Sequence, residues 1–320
     1  MNKIKIKFLF SKFLIPLLFV MTSGCTSSTK KPEKPNVLFI SVDDLNDWVG
    51  VLGGYPQAIT PNIDALSKRG VLFTNAHCAA PLCGPSRAAL MTGITPASSG
   101  IYKNNQLFRG SPVLKDAITL PQHFMNNGYK AIGAGKIYHG SDPDPASWDD
   151  YWPSQEKNEP NDPKQDKNSP LIKEYSHFGS PFVDIDSEEM GDWRTVDWVI
   201  NQLQSKHDKP LFLACGIYKP HLPWNVPKKY YDRFPLDSII LPEVNNDDHD
   251  DIPENMTKWI TKPGSDHERI LKSDKWKEAV QSYLACISFA DEMVFRILSA
   301  LHESRYAANT CIVLWSDHGW

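Results

Sequence analysis

Cysteine is scarce in this chain and poorly spaced for metal chemistry. The 320 residues contain six, and no pair of them stands at the short spacing of a zinc site. Basic charge is not in excess either. Lys and Arg number 34 against 38 Asp and Glu, so no basic face advertises a nucleic-acid binder. An anionic substrate would have to be met by a local basic pocket working against that balance. No internal repeat is apparent. The longest apolar stretch, residues 8–21, is broken by Ser11, Lys12 and Pro16 and is too short and interrupted for a comfortable membrane span.

That stretch reads instead as part of an export signal. Lys3, Lys5 and Lys7 give a positive start, and Thr22-Ser23-Gly24 puts small residues before Cys25. The pattern resembles a bacterial lipoprotein cleavage site, with Thr22 where an aliphatic residue is usual. Thr26–Pro35 is polar and rich in Ser, Thr, Lys and Pro, a tether. The expected organisation is a signal at 1–24, a linker at 25–35 and a catalytic domain at 36–320. The protein is expected to be exported to the periplasm or cell surface, touching the membrane only through a lipid at Cys25. Removing the signal takes away four lysines and no acid, which moves the net charge from −4 to −8.

In the folded region, short apolar runs alternate with helical patterns. Asn36–Val42, Val71–Ala76, Tyr129–Ala134, Pro210–Gly216 and Thr310–Trp315 read as strands. Helices are expected at 60–68, 118–127, 188–205 and 273–302. In the last, Trp276, Val280, Tyr283, Ile287, Val294, Ile297 and Leu301 repeat at helical spacing. The stretch 141–187 reads as a long insertion, 235–270 as irregular, and the acidic run 245–251 as a solvated turn. This alternation predicts an α/β fold with a mainly parallel, or mixed, central sheet flanked by helices.

Cys83-Gly84-Pro85-Ser86-Arg87 stands apart. Ser86–Met91 reads as a helix, with Pro85 at its first position and Gly93 as its C-terminal cap. Cys83 would then sit at a helix N-terminus, where the dipole favours negative charge, with Arg87 one turn on. Such a thiol is either an activated nucleophile or a buried structural cysteine. Cys78 is close enough in sequence to pair with it. Cys215, Cys286 and Cys311 lie in apolar runs and read as small buried hydrophobes.

Four strand ends offer further chemistry: Asp43-Asp44, then Lys136 with His139, then His221 in Lys219-Pro220-His221-Leu222-Pro223, and finally Asp317-His318. In an open parallel sheet the ligand crevice lies beyond the carboxyl ends of the strands. The carboxylates suit a hard cation bound through oxygen. The Arg, Lys and His residues suit a tetrahedral anion. Together they point to hydrolysis of a sulfate or phosphate ester.

Taken together, these motifs resemble type I sulfatases of the alkaline phosphatase superfamily. Cys-Gly-Pro-Ser-Arg fits the sulfatase signature Cys-x-Pro-Ser-Arg, and Leu90-Met91-Thr92-Gly93 extends it. Gly128-Tyr129 through Gly135-Lys136-Ile137-Tyr138-His139 is similar to the second signature, with Ala131 in place of Ser or Thr. Val42-Asp43-Asp44-Leu45, the His221 segment and Ser316-Asp317-His318-Gly319-Trp320 resemble the iduronate-2-sulfatase branch most.

The resemblance implies that Cys83 is oxidised by a maturation enzyme to formylglycine. One hydroxyl of its hydrate, polarised by a single Ca2+, would attack sulfur, and sulfate would leave when the second hydroxyl is deprotonated. It implies Asp43, Asp44, residue 83, Asp317 and His318 as metal ligands, and Arg87 as the group holding the diol. Lys136 and His221 become sulfate ligands, with His221 or a nearby lysine protonating the leaving oxygen, and His139 the base for release. The expected substrate is a sulfated glycan, with a uronate 2-O-sulfate as first guess. A phosphonate monoester or phosphodiester hydrolase using the same formylglycine, or an inactive glycan-binding relic, are the alternatives. The family also carries a further lysine, more strands and a smaller C-terminal domain, so residues 36–320 are expected to be an incomplete catalytic domain.

Overall fold

The structure, a computed structural model, describes residues 34–320 except 141–142, 156, 158–161, 163–170, 173–177, 179–181, 246 and 261–263. The signal at 1–24, nearly all of the linker and much of the 141–187 insertion therefore lie outside the described residues. Five strands form one sheet: β1 (Asn36–Val42), β2 (Lys130–Gly135), β3 (Asp150–Trp152), β4 (Leu211–Ile217) and β5 (Thr310–Ser316). Their order is β3-β2-β4-β1-β5 and every pairing is parallel. The helices are α1 (Pro61–Ser67), α2 (Cys83–Thr92), α3 (Pro96–Ser99), α4 (Leu120–Asn126), α5 (Gly191–Gln204), α6 (Lys228–Tyr231), α7 (Glu254–Ile260), α8 (Asp266–Lys272) and α9 (Trp276–Glu303).

Parallel strands covered on both faces need apolar residues at nearly every position, not only at alternate ones. All seven residues of β4 are buried and six of seven in β1. One face packs against α5 and α9. Val196, Val199 and Leu203 meet Val280, Tyr283, Leu284, Ile287, Val294 and Ile297 in the main core. The other face carries a smaller aromatic cluster of Phe39, Phe212, Trp148, Tyr129 and Tyr151 with Met91 of α2.

Register then places the chemistry. Val42 pairs with both Ile217 and Ser316, and Gly135 with Gly216. The residues that follow these ends, Asp43, Lys136, Tyr218 and Asp317, are therefore brought to one edge of the sheet. At β2 and β4 the approach is very close. A Cβ on Gly135, which has φ +75°, would lie 2.0 Å from the Gly216 carbonyl oxygen, so only glycine fits there.

Several expectations are corrected. Val71–Ala76 forms no strand. It has no partner strand among the described residues, and Val71 and Phe73 are 81% and 75% exposed. An apolar run has no strand geometry without a ladder to join. The insertion contributes β3, a three-residue edge strand too short to read from pattern. The 235–270 region, expected to be irregular, contains α7 and most of α8. Helix α2 begins at Cys83 itself, two residues before Pro85. Gly93 caps α2 in the left-handed conformation as expected (φ 72°). Cys78 and Cys83 are unpaired, the first exposed and the second buried. Cys215 and Cys286 are buried, but Cys311 is exposed, because β5 is an edge strand whose residues alternate in burial.

A buried carboxylate ties the helical layer together. Thr60, at the start of α1, makes no side-chain cap. Asp291 of α9 does so instead: its Oδ1 accepts from the backbone N–H groups of Asn62 (3.1 Å) and Ile63 (2.9 Å), and its Oδ2 from Asn62 Nδ2 (2.7 Å). Replacing Asp291 by Ala leaves these donors buried and unpaired, at about 1–3 kcal/mol. The thermal midpoint of Asp291→Ala is expected to fall below that of wild type by scanning calorimetry, and Asp291→Asn, which keeps one acceptor, to fall less.

Candidate active site

Nine side chains named from sequence come from four strand ends and the first turns of α2, and the structure brings them to one place. Arg87 is at their centre and fully buried. Its Nη2 donates to Asp43 Oδ1 at 2.7 Å and its Nε to Asp317 Oδ2 at 2.9 Å. Its Nη1 reaches the carbonyls of Lys136 (2.6 Å) and Ile137 (3.1 Å) and Ser41 Oγ (3.1 Å). The guanidinium thus joins β1, β2 and β5 at their carboxyl ends, and its observed partners are carboxylates, carbonyls and a hydroxyl of the protein itself.

Asp43 also holds Lys136 Nζ in a close ion pair. Burial alone would raise the Asp43 carboxyl, but Lys136 and Arg87 overcome it and hold the group well below the usual carboxylate range. Lys136 is buried too. The Asp43 carboxylate outweighs that burial and keeps the ammonium charged, with its pKa above the ordinary value. The ring of Tyr218 lies under Lys136 Nζ at 4.8 Å, a cation–π contact that sequence patterns did not single out.

Asp44 follows with φ +59°, a left-handed conformation that Asp tolerates better than most residues. Two contacts hold it there. Its N–H donates to Asp317 Oδ1 (3.1 Å), and its carbonyl accepts from Tyr283 Oη of α9 (2.7 Å). Tyr283 was legible only as a core position of a helix, since helical spacing does not reveal which hydroxyl ends in a site. Burial, with Asp43 beside it, pushes the Asp44 carboxyl up to about 7.

Cys83 Sγ sits 3.9 Å from Asp44 Oδ1 and 3.2 Å from His318 Nε2. Asn104, from the loop after α3, accepts the Gly84 N–H at 2.7 Å and so closes over the turn. The helix terminus does not activate this thiol as a thiolate. Burial, with the carboxylates Asp43, Asp317 and Asp44 nearby, raises the Cys83 thiol well above its ordinary value despite Lys136.

His318 Nδ1 lies 2.8 Å from the Gly319 carbonyl. In the neutral ring this puts the proton on Nδ1 and turns the Nε2 lone pair toward Cys83, Asp44 (3.3 Å) and Asp317 (3.7 Å). His221 Nε2 lies 3.9 Å from Asp44 Oδ2, with Nδ1 on the Leu222 carbonyl. Burial and Lys136 bring both His221 and His139 down to about 4, so both are neutral near pH 7. His139 Nδ1 is buried without a hydrogen-bond partner. Lys219, one of the lysines near His221, is committed elsewhere: its Nζ binds the Pro223 carbonyl (2.7 Å), Asn225 Oδ1 (3.2 Å) and Asp162.

The donor chemistry fits a hard divalent cation. Asp44, Asp317, His318 and Cys83 offer ligand atoms within 4.8 Å of one another, as do Asp43, Asp44, His221 and Cys83. Three buried carboxylates, Asp43, Asp44 and Asp317, face the cations Arg87 and Lys136, and burial together with Asp43 keeps the Asp44 carboxyl raised. The carboxylates suit a hard cation, whereas the Cys83 sulfur and the histidine nitrogens are softer donors, so an oxygen in place of that sulfur would make the set harder.

Comparison with known proteins agrees with this geometry. A sequence model described as Sulfatase matches residues 35–320. The chain belongs to the sulfatase family. It is 40% identical over 324 aligned residues to a sulfatase of Formosa agariphila, covering 95% of this chain and 63% of that one. It is 32% identical to the iduronate 2-sulfatase of Mus musculus, covering 89% of this chain and 54% of that one. The chain thus spans between half and two thirds of the length of these relatives. The fold is shared with the phosphonate monoester hydrolase of Agrobacterium radiobacter (TM-score 0.67, 22% identity, 89% of this chain and 63% of that one).

In this sulfatase chain, a cation entering the site must displace the proton on Asp44. Because the Asp44 carboxyl titrates at about 7, affinity for calcium is expected to rise between about pH 6 and 8 and then level off. Calorimetric titration with calcium chloride in buffers of different ionisation enthalpy should show proton release at the acid end that is lost in Asp44→Asn.

Proposed function

We propose that this protein hydrolyses sulfate esters of carbohydrates, with a uronate 2-O-sulfate as the first substrate to test, using formylglycine made from Cys83 and one bound Ca2+. The observation that carries this reading is the placement of Cys83. Its sulfur sits among buried carboxylates and beside the His318 ring, where a thiolate is strongly disfavoured. A cysteine there is a poor nucleophile as a thiol and a well-placed precursor of an oxygen ligand. The uronate guess is supported by the similarity to iduronate 2-sulfatase.

Asp43, Asp44, Asp317 and His318 would hold the cation, which together with the hydrated aldehyde at position 83 would supply a polarised hydroxyl at neutral pH. The protein's own groups do the rest. Arg87 holds Asp43 and Asp317 in register and favours the charged form of each, although burial leaves the Asp317 carboxyl above its ordinary value. Lys136 and His221 flank the anion side and stabilise charge where it develops. His139 is neutral, with an unpartnered Nδ1, and so can accept a proton as a general base. His221 is neutral without substrate, and an anionic ester beside it raises its proton affinity toward that of a leaving-group acid. Export and a lipid at Cys25 belong to the same proposal and rest on the sequence alone.

The test is intact-protein mass spectrometry after co-expression with a formylglycine-generating enzyme, followed by turnover assays. The expected mass shows sulfur replaced by oxygen with loss of two hydrogens, and Cys83→Ala abolishes both the change and hydrolysis of para-nitrophenyl sulfate. A Cys83 that stays a thiol would sink the proposal. Faster turnover of an aryl phosphate diester than of the sulfate would move the assignment to phosphodiester chemistry.

A further inference from the structure

The segment that carries His221 is held from behind by a carboxylate outside the cluster at the sheet edge. Strand β4 ends at Ile217, and beyond it the chain must turn across the site. Asp192, the second residue of α5 and 4% exposed, meets it there. Its Oδ1 accepts the N–H of Tyr218 at 2.7 Å and its Oδ2 the N–H of Lys219 at 2.9 Å. These are the first two amides after the strand. One rigid acceptor on two consecutive amides sets the direction in which Pro220 and His221 leave the sheet.

Beyond that anchor the loop is tied mainly to itself. His221 N–H donates to the Tyr218 carbonyl (3.0 Å), Tyr218 Oη to the Leu222 carbonyl (3.0 Å) and Trp224 Nε1 to the Pro220 carbonyl (2.9 Å). The His221 ring contacts the loop through Leu222 and lies tilted against the Tyr218 ring, 4.7 Å between centroids. Its place beside Asp44 is therefore inherited from the loop. Lys219, fully buried, ties the far end through Pro223 and Asn225. Asp162, which accepts the Gly191 N–H (2.8 Å) next to Asp192, pairs with the same lysine.

We infer that Asp192 is a positioning residue that acts through His221: it aims the Tyr218–Trp224 loop so that the imidazole meets the anion. This deepens the proposed function and rests on His221 facing the sulfate group. Asp192→Asn keeps the volume and one acceptor but turns an amide N–H toward the other backbone donor. Losses of ~10–100-fold are typical when such supporting groups are changed. For matured full-length chain with para-nitrophenyl sulfate, kcat/KM of Asp192→Asn is expected to fall by about that factor, mainly in kcat. In a His221→Ala background the same change should cost nothing further. Additive losses, or full activity of Asp192→Asn, overturn the inference. A second readout needs no turnover and so separates this inference from the function. The His221 ring resonance, assigned by its loss in His221→Ala, should shift in Asp192→Asn with the protein still folded. An unmoved resonance refutes the positioning role even if no sulfate ester is cleaved.

Discussion

The buried guanidinium of Arg87 is the interaction on which the site depends. It spans two carboxylates, Asp43 and Asp317, from strands that lie side by side, and the carbonyls that follow a third. Removing one partner of a buried pair leaves an uncompensated charge, typically at about 3–5 kcal/mol. Here a single arginine bridges two acids, so its loss would remove the arginine partner of Asp317 and leave Asp43 with Lys136. Lysine could not replace it, because a point charge lacks the planar fork that reaches two carboxylates in different directions.

From that constraint the remaining electrostatics follow. Asp43 is stabilised as a carboxylate by two cations, whereas Asp44, one residue on, gains little from them and is pushed up by burial and its acidic neighbour. Adjacent residues of one type thereby acquire opposite properties. The two histidines near Lys136 are held neutral by burial and its charge, and the thiol of Cys83 is denied ionisation by the carboxylates around it. The site sets the Lys136 ammonium at the end of β2 and the carboxylates at the ends of β1 and β5, the division expected where a cation and an anion meet.

Support for this arrangement comes from both sides of the sheet. Tyr283 of α9 holds the strained Asp44 backbone, Asn104 binds the turn at Gly84, and Asp192 of α5 holds the amides before His221. None of these residues belongs to the cluster of metal or anion ligands. Tyr283 fixes the backbone of one that does and the other two fix the backbone close beside one, which is how a site drawn from five separate segments keeps one geometry.

The order of strands and helices, the strand-end acids and bases, and the Cys83 signature were legible in the sequence, because buried parallel strands and capped helices impose local patterns of burial and turn chemistry. Where local pattern alone was available, it failed in specific ways. Val71–Ala76 has the composition of a strand and no ladder to join, and β3 has a ladder but only three residues. Cys311 lies in an apolar run that the sheet edge leaves exposed. What only the tertiary structure decided was which groups share a charge environment. The helix N-terminus and Arg87 suggested an ionised thiol, yet Arg87 is spent on Asp43 and Asp317, and burial wins at Cys83. The roles of Tyr283 and Asp192 were likewise unreadable, since each depends on a hydrogen bond to a backbone far away in sequence, and register between strands, not spacing along the chain, brings such partners together.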